Sequence, residues 1–392
     1  SFDNTEIAAN VDEDIIDSLT GGRLVGSVTS FENFAECPLR YYLRYGVDLK
    51  EREEFTFSPV NFGVVLHAVI REVCDEIKKN GESYYLISEE KRREMVKRSV
   101  AAITDIYQNS ILKDSSRNSF MIKRMEDLAD RTVWAMGEQL KCGDFVPFVF
   151  EHKFNMEVGD GDRKQLMSGT IDRVDICENG TDVYVRIIDY KTGKKDFNIV
   201  KTYYGIDIQL MVYMEAAMKL VAKMRPGKNV IPAGVFYYNI SDPIVSATTE
   251  SAEEIEDKIK GELRLKGMVN SDKDIAEKMD NTEGTSLNIP VSRKADGGFD
   301  SRRSKVMNTE QFNMLGRFVD VRAVDTADRI AGGDIRRSPY KDGQFSSCDR
   351  CPYGAVCGFS VDLPGCNYRK LKKFDDEVLW NNIKEWVDEN GK

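Results

Sequence analysis

Several things are missing from this sequence, and each absence removes a class of function. No apolar run approaches the ~20 residues that a membrane-crossing helix needs, so no membrane span is expected. The N-terminal stretch SFDNTEIAANVDEDIIDSLTGG is acidic and lacks the apolar centre of a signal peptide, which points to a cytoplasmic chain. An initiator methionine is missing too, as expected of a fragment of a longer protein or of a chain trimmed after tag removal. There is no phosphate-binding loop of the form G-x4-G-K-[ST], so no motor activity of its own is expected. A basic excess is absent: the net charge is −10, which argues mildly against nucleic-acid binding. That argument weakens where carboxylates hold a metal, because they count as negative until the ion arrives. Without an export signal, the eight cysteines do not read as a disulfide framework, and a short-spaced cluster among them reads as a metal site.

What is present is organised. Residues 1–26 read as an acidic, glycine-punctuated leader, and order is expected from residue 27 onward as a single domain ending at 392. Ser30 is placed to cap a short helix that Cys37-Pro38 ends. Residues 61–79 read as an amphipathic helix with Val65, Ala68, Val69 and Val73 on its apolar stripe. Residues 88–142 carry no proline and read as a charged, solvated helical insert. The period then changes, and 145–158, 164–177 and 182–193 read as three strands separated by the turns GDGD and ENGT. A helix over 206–224, stopped by Arg225-Pro226-Gly227, and a strand over 230–240 complete an α-β-β-β-α-β order. Residues 241–308 are polar and weakly patterned, and flexible loops are expected there. Residues 309–333 form a helix with Thr309 as cap and Gly332-Gly333 as stop, and a cysteine segment follows, so 309–366 is a C-terminal unit.

The chemistry concentrates in GTIDRVD (169–175) and IIDYKTG (187–193). Strand side chains alternate, so Asp189 and Lys191 share a face, and pairing through ENGT brings Asp172 beside them. Two carboxylates and an ammonium at a sheet edge suit a hard divalent cation, magnesium or manganese, with the lysine orienting a water or stabilising charge on a phosphate. Taken alone, D-x-K is better read as a surface ion pair worth ~0–1 kcal/mol. Two further features weigh against that. His67, one of two histidines, follows Gly63 in GVVLH, where the glycine leaves room for a backbone or ligand. Gln209 and Tyr213 lie four apart on the next helix and share a face.

In this order, G-x3-H, G-x-I-D, I-D-Y-K-T-G and Q-x3-Y resemble the RecB-like branch of the PD-(D/E)XK nuclease superfamily, whose restriction-endonuclease-like core has the same α-β-β-β-α-β order. The resemblance implies an α/β fold and a metal-dependent deoxyribonuclease. It gives His67, Asp172, Asp189 and the main-chain carbonyl of Tyr190 as ligands of Mg2+ or Mn2+. Lys191 is then the catalytic lysine, with Gln209 and Tyr213 at the active site and against the DNA strand. Ile171 stands where the superfamily name places a proline, a departure common in that branch.

Cys348-x2-Cys351-x5-Cys357 supplies three soft ligands in one loop and needs a fourth, for which Cys366 is nearer and Cys37 more distant. Four thiolates suit zinc or an iron–sulfur cluster, and spacing alone leaves both open. One distant N-terminal cysteine followed by C-x2-C-x5-C resembles the iron staple of AddB-type nuclease domains. That resemblance implies a 4Fe-4S cluster on Cys37, Cys348, Cys351 and Cys357, with Cys366 spare. It also implies an AddA-type helicase–nuclease partner subunit and a role in processing DNA breaks for recombination. Closing a loop of roughly 300 residues would remove denatured-state entropy worth on the order of several kcal/mol.

Arg40 and Arg44, one turn apart beside Tyr41, Tyr42 and Tyr45, are candidate DNA contacts through phosphates and stacked bases. Packing is an equally good use for two of those tyrosines. Arg302, Arg303, Lys305, Arg336 and Arg337 are weaker phosphate candidates. The rival readings are a standalone RecB-like exonuclease of the CRISPR-associated kind, a non-catalytic DNA-binding scaffold and a zinc-stabilised structural module.

Overall fold

The computed structural model describes residues 10–12, 25–50, 59–106, 116–158, 165–245, 250–363 and 365–390. The GDGD turn and most of the expected leader lie outside them. Among the described residues, Asn10 bridges to Asp334, so part of that leader rests on the far end of the chain.

A seven-stranded sheet forms the centre. Its strands are β1 (Val25–Ser27), β2 (Val146–Val158), β3 (Gln165–Asn179), β4 (Asp182–Lys191), β5 (Asn229–Asn239), β6 (Lys266–Asn270) and β7 (Val306–Met307). They run in the order β1-β3-β4-β5-β6-β7, and β2 pairs with β3 outside that path. The tight ENGT turn makes β3 and β4 an antiparallel hairpin, and Gly180 takes the positive φ of 60° that the turn requires. β5 returns parallel to β4, the geometry a crossover helix imposes.

The helices are α1 (Val28–Glu36), α2 (Pro38–Tyr41), α3 (Pro59–Lys79), α4 (Glu89–Ile106), α5 (Ser116–Lys141), α6 (Ile199–Tyr203), α7 (Gln209–Met224), α8 (Ala252–Glu262), α9 (Lys273–Met279), α10 (Thr309–Ala331), α11 (Gly354–Cys357) and α12 (Asp376–Asn390). Alternation along β4 assigns them to two layers. Tyr184, Ile188 and Tyr190 join a core with α3, α4 and α5, while Val183, Val185 and Ile187 join a core with α7, α10 and α12. The expected core order, helix, three strands, helix and strand, is therefore present. No described helix is long and apolar enough to cross a membrane.

Four expectations change. The 88–142 segment is not a solvated subdomain: Met95, Val96, Val100, Met125, Leu128, Val133 and Met136 are buried and close the core over α3. Its many charges mask an apolar stripe on each helix. Residues 241–308 are not simply loops, because α8, β6 and α9 lie there and β6 adds to the sheet edge against β5. Those elements are too short to show a period, yet Leu263, Leu265, Val269 and Ile275 are buried. Gly267 permits the pairing, since a Cβ there would meet the Val235 carbonyl oxygen at 1.9 Å. The first helix is capped by Ser27, whose side chain accepts from Ser30 N, and α10 is capped by Asn308 in a reciprocal box with Gln311.

Candidate active site

β3 is flanked by β1 at residues 166–168 and by β4 at 173–179, and between those stretches the pairing lapses. The β3–β4 ladder stops at Arg173↔Ile188. Beyond it the strands splay, and Asp172 fills the gap by accepting the Tyr190 backbone N–H on Oδ2 at 2.6 Å. In the last paired rows of that ladder, Arg173 and Arg186 converge on Asp175 at 2.6 and 2.8 Å, all three fully buried. This ion triad fixes both strands where they part.

Into the splay project the residues that the motifs single out. His67 of α3 places Nδ1 3.5 Å from Asp172 Oδ1. Asp189 is 3% exposed, and its Oδ2 lies 2.6 Å from Lys191 Nζ. Lys191 donates to Gln209 Oε1 at 2.9 Å, and Gln209 Nε2 donates to the Tyr213 hydroxyl at 2.9 Å. Tyr190 stands edge-on to the His67 ring at 5.9 Å. The structure thus brings together His67, Asp172, Asp189, Tyr190, Lys191, Gln209 and Tyr213.

The sequence reading missed Glu151. It lies in β2 between the pairs Phe150↔Arg173 and His152↔Ile171, opposite Asp172, and its backbone is left-handed with φ at 48°. A left-handed backbone at a non-glycine residue in mid-strand is costly and re-aims the side chain. Here it is aimed at the site, with Oε1 3.9 Å from His67 Nδ1. Ligand atoms of His67, Glu151 and Asp172 all lie within 4.8 Å of one another. In an alternating strand, a glutamate turned by one left-handed residue leaves no pattern to find.

The electrostatics of this group are strained. Burial, then the charge of Asp172, pushes the Asp189 carboxyl up to about 7, against the pull of Lys191. Burial and Asp172 also raise Glu151. Burial disfavours the His67 imidazolium, but its hydrogen bond to Asp172 and the surrounding acids outweigh that and raise its pKa. Crowded carboxylates with one imidazole make a donor set for a hard divalent cation, which would relieve the repulsion.

The two motif glycines differ. A Cβ on Gly169 would meet the Phe154 ring at 2.7 Å and the Tyr213 ring at 3.0 Å, so only glycine lets Tyr213 lie over β3. A Cβ on Gly63 would touch Thr192 at an ordinary 3.6 Å, so no close approach demands that glycine.

Cys37 ends α1 in an extended conformation. With Cys348, Cys351 and Cys357 it lines one small cavity, closed by Leu43, Arg337 and Phe359, among others. The buried Cys366 is not among the residues that line it. Leu39 N donates to Arg336 O, and Arg337 donates to Cys357 O at 3.2 Å, holding the two ends of the chain together. Burial raises the thiols of Cys37, Cys348 and Cys357, and each is raised further by neighbouring cysteines. Four thiols lining one small cavity fit a thiophilic metal centre.

Most of the suggested phosphate contacts are already paired within the chain. Arg40 pairs with Glu36, Arg336 with Asp334 and Lys305 with Asp196, while Arg337 serves the cysteine loop. Tyr41 is buried edge-on to Phe34, the packing alternative. Arg44 lies over the Tyr45 ring, and Arg302 and Arg303 are exposed.

Comparison with known proteins agrees with this geometry. Residues 26–358 match the PD-(D/E)XK nuclease superfamily. The chain is 34% identical over 383 residues to the B subunit of the ATP-dependent helicase/deoxyribonuclease of Clostridium acetobutylicum, covering 95% of this chain and 33% of that one. The protein of the same name from Caldanaerobacter subterraneus subsp. tengcongensis is 34% identical over 387 residues, 96% of this chain and 33% of its own. That of Thermoanaerobacter pseudethanolicus is 33% identical over 376 residues, 93% and 32%. The chain spans about a third of the length of these curated relatives.

Proposed function

The chain belongs to the PD-(D/E)XK nuclease superfamily, and from that premise we propose that it is the DNA-cutting domain of an AddAB-type helicase–nuclease, a divalent-metal-dependent exonuclease. The observation that carries the reading is the splay of β3 from β4, where buried Asp172 and Asp189 meet Lys191 and His67.

In this reading His67, Asp172, Asp189 and the Tyr190 carbonyl would hold Mg2+ or Mn2+, with Glu151 as an additional carboxylate. Such an ion, when bound, would supply a water of lowered pKa and neutralise charge on the phosphate. Lys191 orients the attacking water and stabilises the negative charge that develops as the new O–P bond forms and the ester P–O bond breaks. Gln209 holds the ammonium in place through its carbonyl and passes its own N–H to Tyr213. Tyr213, lying over Gly169, forms the floor on which the strand rests. Arg44, with Tyr45 beside it, and exposed Arg302 and Arg303 are left to meet DNA.

Cys37, Cys348, Cys351 and Cys357 would hold a 4Fe-4S cluster that ties the N-terminal helix to the C-terminal loop. Spacing and the shared cavity support that choice of ligands, and zinc is the competing metal. The relatives are named as B subunits, which supports an AddA-type partner and a cytoplasmic setting.

The test is cleavage of end-labelled single-stranded and duplex DNA with Mg2+ or Mn2+, alone and with an AddA-type partner. Wild-type protein is expected to cut, and Asp189→Ala and Lys191→Ala to be inactive with their cysteine metal retained. Cleavage by Asp189→Ala equal to wild type would overturn the reading.

A further inference from the structure

Helix α7 delivers Gln209 and Tyr213, yet its own sequence supplies no side chain to cap it: Ile208 occupies the cap position. The orphan N–H groups at its start are instead taken by a residue 176 positions earlier. Glu32, on α1, accepts from Ile208 N at 2.9 Å and from Gln209 N at 3.0 Å, both on Oε1. A carboxylate at a helix N-terminus is favoured by the dipole as well as by the hydrogen bonds. The backbone that Glu32 grips is thus that of Gln209 itself, whose side chain accepts from Lys191 Nζ. The approach of the two segments is close: a Cβ on Gly205, just before α7, would lie 3.3 Å from the Ala35 side chain on α1.

We infer that Glu32 is a positioning residue for the nuclease site: it fixes the first turn of α7 so that Gln209 holds Lys191 in register with Asp189. The inference rests on the functional reading above. Glu32 acts through Gln209 and touches no reacting group. It also links the two halves of the molecule, because α1 ends at Cys37, so the helix that holds the catalytic amide is anchored in the cysteine cavity.

The neighbouring anchors make the role separable from folding. Asp207 has anchors of its own: Tyr237 OH at 2.7 Å, Lys195, which also attracts Glu32, at 3.0 Å, and Thr202, which donates to its carbonyl at 2.8 Å. Those contacts keep the loop in place without Glu32 but do not reach the amides of residues 208 and 209. An Å-scale error in a catalytic group costs on the order of 10–100-fold in rate.

The experiment compares Glu32→Ala and Glu32→Gln with wild type in Mg2+-supported cleavage of a labelled single strand, with hydrogen exchange measured over 204–214. Glu32→Ala is expected to lower kcat about tenfold or more at unchanged KM, and to speed exchange at the start of α7. Glu32→Gln keeps an acceptor oxygen and is expected to stay within about threefold of wild type with protection retained. Should Glu32→Ala fold poorly, Glu32→Asp, one methylene shorter, carries the same expectation. Unchanged kcat per folded molecule, or unchanged exchange, overturns the proposal, as does equal loss in the Gln and Ala variants. A wild-type chain that cuts no DNA would count against the nuclease reading instead, and exchange would still decide whether Glu32 holds the helix.

Discussion

Glu151→Gln isolates the electrostatics of the site. Its carboxylate lies no more than 4.8 Å from that of Asp172. Two unit charges at that distance repel by about 3 kcal/mol at an effective dielectric of about 20. Attraction to His67 and partial exposure to solvent offset part of this, leaving about 1–2 kcal/mol of net cost in metal-free protein. Glutamine keeps the shape but not the charge. In EDTA the variant should therefore unfold at higher urea, by about 1–2 kcal/mol at pH 8. With Mg2+ the order should reverse or close. An ion at 100 times its Kd contributes about 2.7 kcal/mol to wild type by mass action, and a site short of one carboxylate binds it less tightly. The assay is a pair of urea titrations followed by circular dichroism, with EDTA and with Mg2+. A variant no more stable than wild type in EDTA would refute the crowding argument. An equal Mg2+ gain in both proteins would remove Glu151 from the ion's ligands.

Three further outcomes are expected. Gly169→Ala should displace Tyr213 and cut cleavage at least about tenfold, whereas Gly63→Ala, with its ordinary 3.6 Å contact, should retain cleavage and gain up to ~1 kcal/mol of helix stability; equal effects would contradict the packing argument. Asp320 on α10 is pushed up to about 8 by burial and then by its hydrogen bond to Glu215 and that residue's charge. Because the folded pKa lies above the unfolded value near 4, its contribution is fully present below about pH 4 and is lost as pH rises through 8. Asp320→Asn should thus raise the urea midpoint at pH 8.5, by on the order of 1–2 kcal/mol, but barely at pH 4.5; parallel pH curves would remove Asp320 as the cause. Among the cysteines, Cys351→Ser should abolish visible absorption near ~400 nm and destabilise the fold by on the order of several kcal/mol, while Cys366→Ser should leave the spectrum intact; the opposite pattern would reassign the fourth ligand.

How much of this was legible follows from the range of each signal. Asp172, Asp189 and Lys191 could be placed together because strand alternation and a tight turn are local rules. Gln209 and Tyr213 follow from helical spacing. Cys37 could not be chosen over Cys366 by spacing, since only the folded chain shows which thiols line the same cavity. Glu151 was hidden by a left-handed residue in mid-strand, which breaks the alternation that pattern reading assumes. Glu32 was hidden by distance, its partners lying 176 and 177 residues away. Strand β6 was hidden by length, because five residues are too few to show a period above the surrounding polar sequence.

The central claim is that the splayed ends of β3 and β4 hold a divalent cation, and crystals grown with Mn2+ test it most directly. An anomalous difference map is expected to show a peak within ligand reach of His67, Asp172 and Asp189. A map with no peak there, or with one only at the Glu215–Asp320 pair between α7 and α10, would contradict the account.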